Sequence, residues 1–80
     1  MCCCFRSLFW IQRWPRPRIE TCSLNGTARR VLHRQDLAWP VDLALDHARR
    51  AIFWTDAKLR TIETSYESGL GRRVVRKYRE

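Results

Sequence analysis

The feature that most limits how this chain can fold is an internal repeat at a shift of 43 residues. Residues 19–32 align with residues 62–75, and both segments keep Ile-Glu-Thr at the start, one Gly in the middle and Arg-Arg-Val near the end. These are seven identities in fourteen positions. A period of this length is typical of architectures that repeat a four-stranded sheet, in which each unit buries its apolar face against the next. The repeat therefore predicts neighbouring sheets packed face to face.

Turn signals and side-chain alternation divide the repeat into strands. Asn25-Gly26 predicts a tight hairpin of type I′, because both residues tolerate a positive φ, and Ser68-Gly69 marks the equivalent turn. Residues 41–46 alternate strongly apolar with polar or small side chains, which is the period of a strand. Pro40 suits the entrance of that strand, since proline cannot donate a ladder hydrogen bond. The predicted strands are 18–24, 27–33, 41–45, 51–55, 60–66 and 72–76.

Length and charge limit the functional classes. Eighty residues allow one small domain. The chain has 16 Lys and Arg against 8 Asp and Glu, a net charge of +8, which suggests nucleic acid, anionic membrane or acidic protein as a partner. No apolar run is long enough to span a membrane, and no recognisable signal peptide is present. No nucleophile elbow, phosphate loop or paired-carboxylate motif occurs, so no catalytic residue, no cofactor site and no enzyme activity are predicted.

The four cysteines do not form a metal-binding pattern. Cys2, Cys3 and Cys4 are consecutive, and Cys22 stands alone. Consecutive cysteines are poorly placed to cross-link with one another, and no Cys or His spacing fits zinc. We therefore expect free thiols in a poorly ordered leader and no metal site. The alternative is a palmitoylated leader, since acylated cysteines lie near apolar and basic segments.

Several motifs, in the right order, resemble the low-density-lipoprotein-receptor class B (YWTD) repeat. Residues 37–46 are similar to the family pattern L-x-W-P-x-G-L-A-x-D, with Asp42 in place of its Gly. Residues 53–56, Phe-Trp-Thr-Asp, resemble the YWTD signature. Residues 62–75 and, one repeat earlier, 18–32 resemble the segment that closes each repeat. Phe9-Trp10 matches the spacing of a degenerate YWTD strand, although Ile and Gln follow where the family has Thr and Asp.

The resemblance implies an all-β fold, namely a fragment of about one and a half blades from a six-bladed YWTD β-propeller with antiparallel four-stranded sheets. A complete disc needs roughly 250 residues. The expected layout is a poorly ordered, basic and Cys-rich leader over 1–17 with a degenerate strand at 9–10, outer strands of the preceding blade over 18–34, one complete blade over 35–76, and a tail over 77–80.

The repeat signature is expected to be structural. Phe53, Trp54, Ile62 and Val74 are predicted to be core residues, because a buried aromatic or aliphatic side chain contributes about 2–3 kcal/mol. Carboxylates that end strands can accept backbone N–H bonds, and the resemblance implies that they brace one blade against the next. The signature residues are Trp39, Pro40, Leu43, Asp46, Phe53, Trp54, Thr55, Asp56, Ile62, Gly69, Arg73 and Val74.

The resemblance also implies a function. It predicts an extracellular, non-catalytic, protein-ligand-binding section of a lipoprotein-receptor-related protein, endocytic or Wnt co-receptor-like. Its partners would be protein ligands of the parent receptor and neighbouring blades, with no cofactor and no nucleic acid. Trp39 is the candidate ligand-facing residue, because exposed aromatics at a rim can anchor a partner. One alternative is a truncated or partial gene product without independent activity. Another is a basic peptide that binds nucleic acid or an anionic surface through Arg72-Arg73, Arg76-Lys77, Arg79 and the acid-free segment 1–18.

The two histidines and one glycosylation sequon each have a structural interpretation as well as a functional one. His33 and His47 could form a pH switch, since histidine titrates near endosomal pH, but lone loop histidines are usually solvated. Asn25-Gly26-Thr27 is a glycosylation sequon, although the hairpin turn accounts for it on backbone grounds alone. Glycosylation at Asn25 is expected only if the chain enters the secretory pathway.

Overall fold

The computed structural model describes residues 6–79, and these form seven strands in two antiparallel sheets. β1, β2 and β3 make a three-stranded sheet in chain order, and β4 to β7 make a four-stranded sheet in chain order. The all-β class is confirmed, and each predicted strand overlaps one of β2 to β7. The strands are β1 Ser7–Gln12, β2 Arg18–Ser23, β3 Arg30–His33, β4 Pro40–Asp46, β5 Ala51–Asp56, β6 Thr61–Tyr66 and β7 Arg73–Lys77.

β1 corrects the expectation of a poorly ordered leader. That expectation is wrong over Ser7–Gln12, which pairs with β2 along its whole length. Phe9 and Trp10 lie opposite Thr21 and Glu20, just as Phe53 and Trp54 of β5 lie opposite Thr64 and Glu63 of β6. β1 is therefore the counterpart of β5. The predicted free thiols of Cys2, Cys3 and Cys4 lie outside the described residues.

The two β-hairpin turns that follow β2 and β6 share one geometry, which is not type I′. The Gly26 N–H donates to the Ser23 carbonyl at 2.8 Å, and the Ser23 N–H donates to the Thr27 carbonyl at 2.8 Å. The turn after β6 repeats these bonds 43 positions later, at 2.8 and 2.9 Å. Positive φ falls on Gly26 and Gly69, at 85° and 94°, but not on Asn25. A three-residue loop that ends in a left-handed Gly explains why the repeat keeps this Gly.

The core lies between the two sheets. Ile19 of the three-stranded sheet meets Ile52 and Trp54 of the four-stranded sheet, and all three are at most 1% exposed. Because side chains alternate along β5, Phe53 points away from this core. Half-buried apolar side chains complete the packing: Phe9, Ile11, Leu32, Leu37 and Leu43.

The core prediction is correct for Trp54 and wrong for Val74. Val74 is 51% exposed, because β7 is the outer strand of its sheet and every one of its residues is exposed. Phe53 and Ile62 are half-buried and share the face of the four-stranded sheet that points away from the other sheet. Pro40 begins β4, as predicted, and is buried.

Candidate functional site: the contact between the sheets and its loop edge

A buried polar contact joins the two sheets. His33, the last residue of β3, lies 2.8 Å from Ser65 of β6 through its Nε2 atom. The Ser65 hydroxyl donates to the Tyr66 carbonyl at 3.0 Å, so the His33 Nε2–H is the donor to Ser65. The imidazole also lies beside the Trp54 ring, with 5.0 Å between centroids. The expectation of a solvated loop histidine is therefore wrong for His33, which is 8% exposed within a strand.

Burial lowers the pKa of His33 to about 4, and the positive charges of Arg72 and Arg30 act in the same direction. The folded chain thus holds a neutral imidazole at pH values where an unfolded chain would already bind a proton. The stabilising effect of this depressed pKa is complete above the unfolded value of 6.5 and is lost as the pH falls from there towards 4.

We predict that acidification loosens the contact between the sheets. From about pH 7 to about pH 5 the free energy of unfolding should fall by about 2 kcal/mol. The reason is that His33 is protonated in the unfolded state over this range but stays neutral in the folded state. Thermal unfolding followed by circular dichroism checks this. His33→Gln should remove most of the dependence, whereas His47→Gln, at an exposed position, should retain it. Equal slopes for wild type and His33→Gln would contradict the prediction.

A second polar unit occurs in both sheets. The Arg72 Nε atom lies 3.0 Å from a Glu63 carboxylate oxygen, and the guanidinium lies 5.3 Å from the Trp54 ring centroid. Arg72 also donates to the carbonyls of Gln35 and Asp36, at 2.7 and 3.1 Å, in the segment that connects the sheets. This Arg therefore ties its own sheet to the connection from the preceding one.

The three-stranded sheet repeats the unit. Arg29 lies 3.0 Å from Glu20 and 5.4 Å from the Trp10 ring centroid. Arg18 binds the other oxygen of Glu20 at 2.6 Å. The hydrogen bond from Arg29 holds the pKa of Glu20 below its usual value, against the opposing effect of burial. These ion pairs were not predicted from the sequence, although the Glu and the Arg nine positions after it both recur at the 43-residue shift.

Asp56 braces the connection between the sheets. Its carboxylate is 1% exposed and accepts N–H bonds from Ala38 and Trp39 on the connection, at 2.8 and 3.1 Å. It also accepts from Lys58 and Leu59 in the turn after β5, at 3.1 and 2.9 Å. Burial raises the pKa of this carboxyl, but the four N–H donors together outweigh burial and hold the pKa below its usual value.

Asp46 plays a smaller part at the other end of β4. It accepts the Arg49 backbone N–H at 3.2 Å and pairs with the Arg49 side chain at 3.0 Å. These two bonds lower the pKa of the Asp46 carboxyl. The predicted acceptance of backbone N–H bonds is thus confirmed at both strand-ending carboxylates, and only Asp56 reaches the connection between the sheets.

The strand directions bring several loops to one edge, which we call the loop edge. It consists of 13–17 after β1, 34–39 between the sheets, 57–60 after β5 and 78–79 after β7. Backbone bonds join neighbouring parts, from Ala57 N–H to the Trp39 carbonyl at 3.0 Å and from Tyr78 N–H to the Arg60 carbonyl at 2.8 Å.

Two tryptophans are exposed at the loop edge, Trp39 by 55% and Trp14 by 80%. The ligand-facing role of Trp39 stays a prediction. The remaining signature residues lie within the sheets or at the opposite turns. Leu43 and half-buried Thr55 lie in β4 and β5, exposed Arg73 lies in β7, and Gly69 lies in the turn after β6.

Gly69 and Asn25 lie at equivalent turns with different surroundings. A Cβ atom on Gly69 would lie 3.2 Å from Leu32 of the other sheet, so this Gly serves both a positive φ and a close approach. Asn25 is exposed, and its side-chain oxygen accepts bonds from the N–H and hydroxyl of Thr27, at 3.1 and 2.6 Å. Its glycosylation stays a prediction.

Residues 6–79 contain no group of three or more His, Cys, Asp or Glu side chains placed to hold a metal ion. In the same residues no helix has the length and apolar character needed to cross a membrane.

Comparisons with known proteins agree with this geometry. The family model for the low-density lipoprotein receptor repeat class B matches residues 6–47. The vitellogenin receptor Yl of Drosophila melanogaster is 35% identical over 68 residues, which are 85% of this chain and 3% of that protein. Low-density lipoprotein receptor-related protein 5 of Mus musculus is 46% identical over 55 residues, or 69% of this chain and 3% of that protein.

A solved structure gives the same result in three dimensions. The crystal structure of a nidogen/laminin complex contains a chain that superposes with a TM-score of 0.84 and 38% identity, over 96% of this chain and 29% of that one. The chain therefore spans a small part of each of these three proteins. It has the fold of a YWTD β-propeller fragment, and it belongs to the low-density lipoprotein receptor class B repeat family.

Proposed function

We propose that this chain is a non-catalytic section of an extracellular receptor propeller that binds protein ligands of the parent receptor. Trp39 carries the proposal. Its N–H is held by Asp56 and its carbonyl accepts the Ala57 N–H, while its side chain remains 55% exposed. A large aromatic side chain on a fixed backbone loses little conformational freedom on binding and is a common anchor in protein interfaces.

The names of the similar proteins support this proposal. Two of them are receptors, and the similar structure is that of a nidogen/laminin complex. A receptor ectodomain is the corresponding location for this chain. The buried polar groups also support a scaffold role, because His33, Glu63 and Asp56 are engaged in joining sheets and connections.

We also propose that the outward face of the four-stranded sheet binds a neighbouring blade. Within the chain, Phe9 and Ile19 of the three-stranded sheet pack on Ile52 and Trp54. Phe53 and Ile62 hold the positions equivalent to Phe9 and Ile19 in the strand pairing. They line an open apolar groove together with Leu43, Ala44 and Thr55. A blade that repeats the contact of Ile52 and Trp54 fits this groove.

The ligand-binding proposal is tested with the two protein ligands that the comparisons name. Vitellogenin and laminin are passed over the immobilised full chain, and binding is followed by surface plasmon resonance. We expect at least one to bind, and Trp39→Ala to weaken it by at least about tenfold, as expected for an aromatic anchor. The matched control is Leu24→Ala, which removes a side chain of 61% exposure from the opposite turns. Absence of binding by both ligands, or equal weakening by both variants, would contradict the proposal.

A further inference from the structure

Each sheet carries a cleft at the same place, where its YWTD-type turn meets the end of its outer strand. The cleft of the three-stranded sheet is lined by Pro15, Arg16, Pro17, Arg18, Val31 and Arg34. Thr61, Val74 and Lys77, which lie 43 residues after Arg18, Val31 and Arg34, line the cleft of the four-stranded sheet. The two clefts thus occupy equivalent positions in the repeat, and their lining residues can be compared one by one.

The two clefts differ in charge. Three arginines and no carboxylate line the first cleft. Arg18 is already paired with Glu20 at 2.6 Å, whereas Arg16 and Arg34 are exposed and make no ion pair within residues 6–79. The second cleft has Asp36 and Glu63 beside its cations, and Glu63 binds Arg72. The lining of the first cleft therefore leaves Arg16 and Arg34 without a carboxylate, whereas the lining of the second cleft places Asp36 and Glu63 among its cations.

The first cleft is also shaped before any ligand arrives. Pro15 and Pro17 fix their own φ angles. The Gln12 side chain donates to the Trp14 carbonyl at 3.3 Å, and Arg18 donates to the Arg16 carbonyl at 3.1 Å. The cleft encloses about 320 Å³, which is at the lower end of the range for ligand sites. The backbone of the cleft is therefore ordered before binding, and the ordering cost falls mainly on the exposed side chains of Arg16 and Arg34.

We propose that this cleft binds a carboxylate side chain from an acidic segment of a protein partner. Arg16 and Arg34 hold the carboxylate, because a guanidinium matches its planar geometry. Val31 and the two prolines contact an apolar residue next to it. The inference rests on the proposed function only in taking the ligand to be a protein.

The walls favour a peptide over other polyanions. Three of the six lining residues are apolar, namely Pro15, Pro17 and Val31. A sulfated polysaccharide presents no apolar group to match them. A nucleic acid would engage a longer row of cations along its backbone. A peptide with alternating acidic and aliphatic residues satisfies both halves of the cleft at once.

The test uses the full chain and a fluorescein-labelled peptide of alternating Glu and Leu, followed by fluorescence polarisation in about 150 mM NaCl, where long-range attraction is screened. Arg16→Glu with Arg34→Glu should weaken binding by at least about tenfold. The matched control is Arg73→Glu with Lys77→Glu, which makes the same charge change in the second cleft and should alter binding less than about twofold. Arg16→Lys with Arg34→Lys should be intermediate. Unchanged circular dichroism shows that all variants fold.

Three outcomes would overturn the proposal. They are no peptide binding by the wild-type chain, equal weakening by the two Glu pairs, and loss of heparin or single-stranded DNA binding in the Arg16/Arg34 pair while peptide binding persists. The last outcome would assign the cleft to another polyanion. Failure here is distinguishable from failure of the proposed function, because Trp39→Ala reports on the protein ligand independently of both clefts.

Discussion

Replacing Trp54 with alanine is expected to unfold the chain. Trp54 is 1% exposed and is the largest fully buried side chain of the described residues. It fills the space between the sheets, beside the imidazole of His33 at 5.0 Å and under the guanidinium of Arg72 at 5.3 Å. Buried Trp→Ala substitutions cost about 3–5 kcal/mol. A chain of this length buries a smaller fraction of its surface than a larger domain does, so its total stability is of the same order.

The measurement is urea unfolding followed by far-ultraviolet circular dichroism. Trp54→Ala should lack the cooperative transition of the wild type, or shift its midpoint strongly to lower urea. Trp14→Ala is the matched control, because its side chain is 80% exposed and its loss should change stability by no more than about 0.5 kcal/mol. A Trp54→Ala chain that unfolds like the wild type would show that the two sheets do not share this core.

The role of Trp54 could be predicted from the sequence because it follows from residues within the same strand. The YWTD-like motif and the alternation of β5 place Trp54 and Phe53 on opposite faces without any knowledge of the neighbouring sheet. The same holds for the glycines of the turns after β2 and β6, which the repeat keeps because a left-handed residue is needed there. Only the turn type was wrong, since an Asn-Gly pair also suits a three-residue loop with Gly last.

The errors arise where a residue's environment comes from another element. Val74 has the apolar pattern of a core strand, but β7 is an outer strand and nothing in the described chain covers it. His33 was expected to be a solvated loop histidine, but the four-stranded sheet covers it and supplies Ser65 as its hydrogen-bond partner. β1 was predicted only at 9–10, inside a poorly ordered leader, because Ile11-Gln12 interrupts the motif. Strand pairing depends on the backbone and tolerates that change, so β1 extends over Ser7–Gln12.

The loop edge could be located only in part. Trp39 was identified as a candidate because exposed aromatics at a rim can anchor a partner. The cleft around Arg16 and Arg34 was not predicted, because it is formed by two segments that are separated along the chain. The 43-residue shift relates Arg34 to Lys77. The shift does not show that Asp36 lies in the second cleft, because its position depends on how the segment 34–39 runs along the four-stranded sheet. The composition of the chain therefore gave its net positive charge but not the position of the basic cleft.

Asp56→Ala is expected to release the connection between the sheets. The substitution leaves the N–H groups of Ala38, Trp39, Lys58 and Leu59 without their acceptor, and each unsatisfied buried donor costs about 1–3 kcal/mol where water cannot replace the bond. We expect a loss of about 3 kcal/mol or more in urea unfolding. Asp42→Ala removes an exposed carboxylate from the neighbouring strand and should change stability by about 0.5 kcal/mol or less.

The pH dependence of stability distinguishes the effect of the Asp56 charge from the effect of its side-chain shape. Since the N–H donors hold the folded pKa of Asp56 below its usual value of 3.8, the stabilising effect of the carboxylate is present above that value and is lost as the pH falls through the folded pKa. Asp56→Asn keeps the size of the side chain but does not titrate. Its stability should therefore be lower than that of the wild type near neutral pH, and the difference should shrink below about pH 4. A difference that stays constant with pH would mean that the carboxylate acts through packing alone, and it would contradict the assignment of Asp56 as a charged acceptor for the connection between the blades.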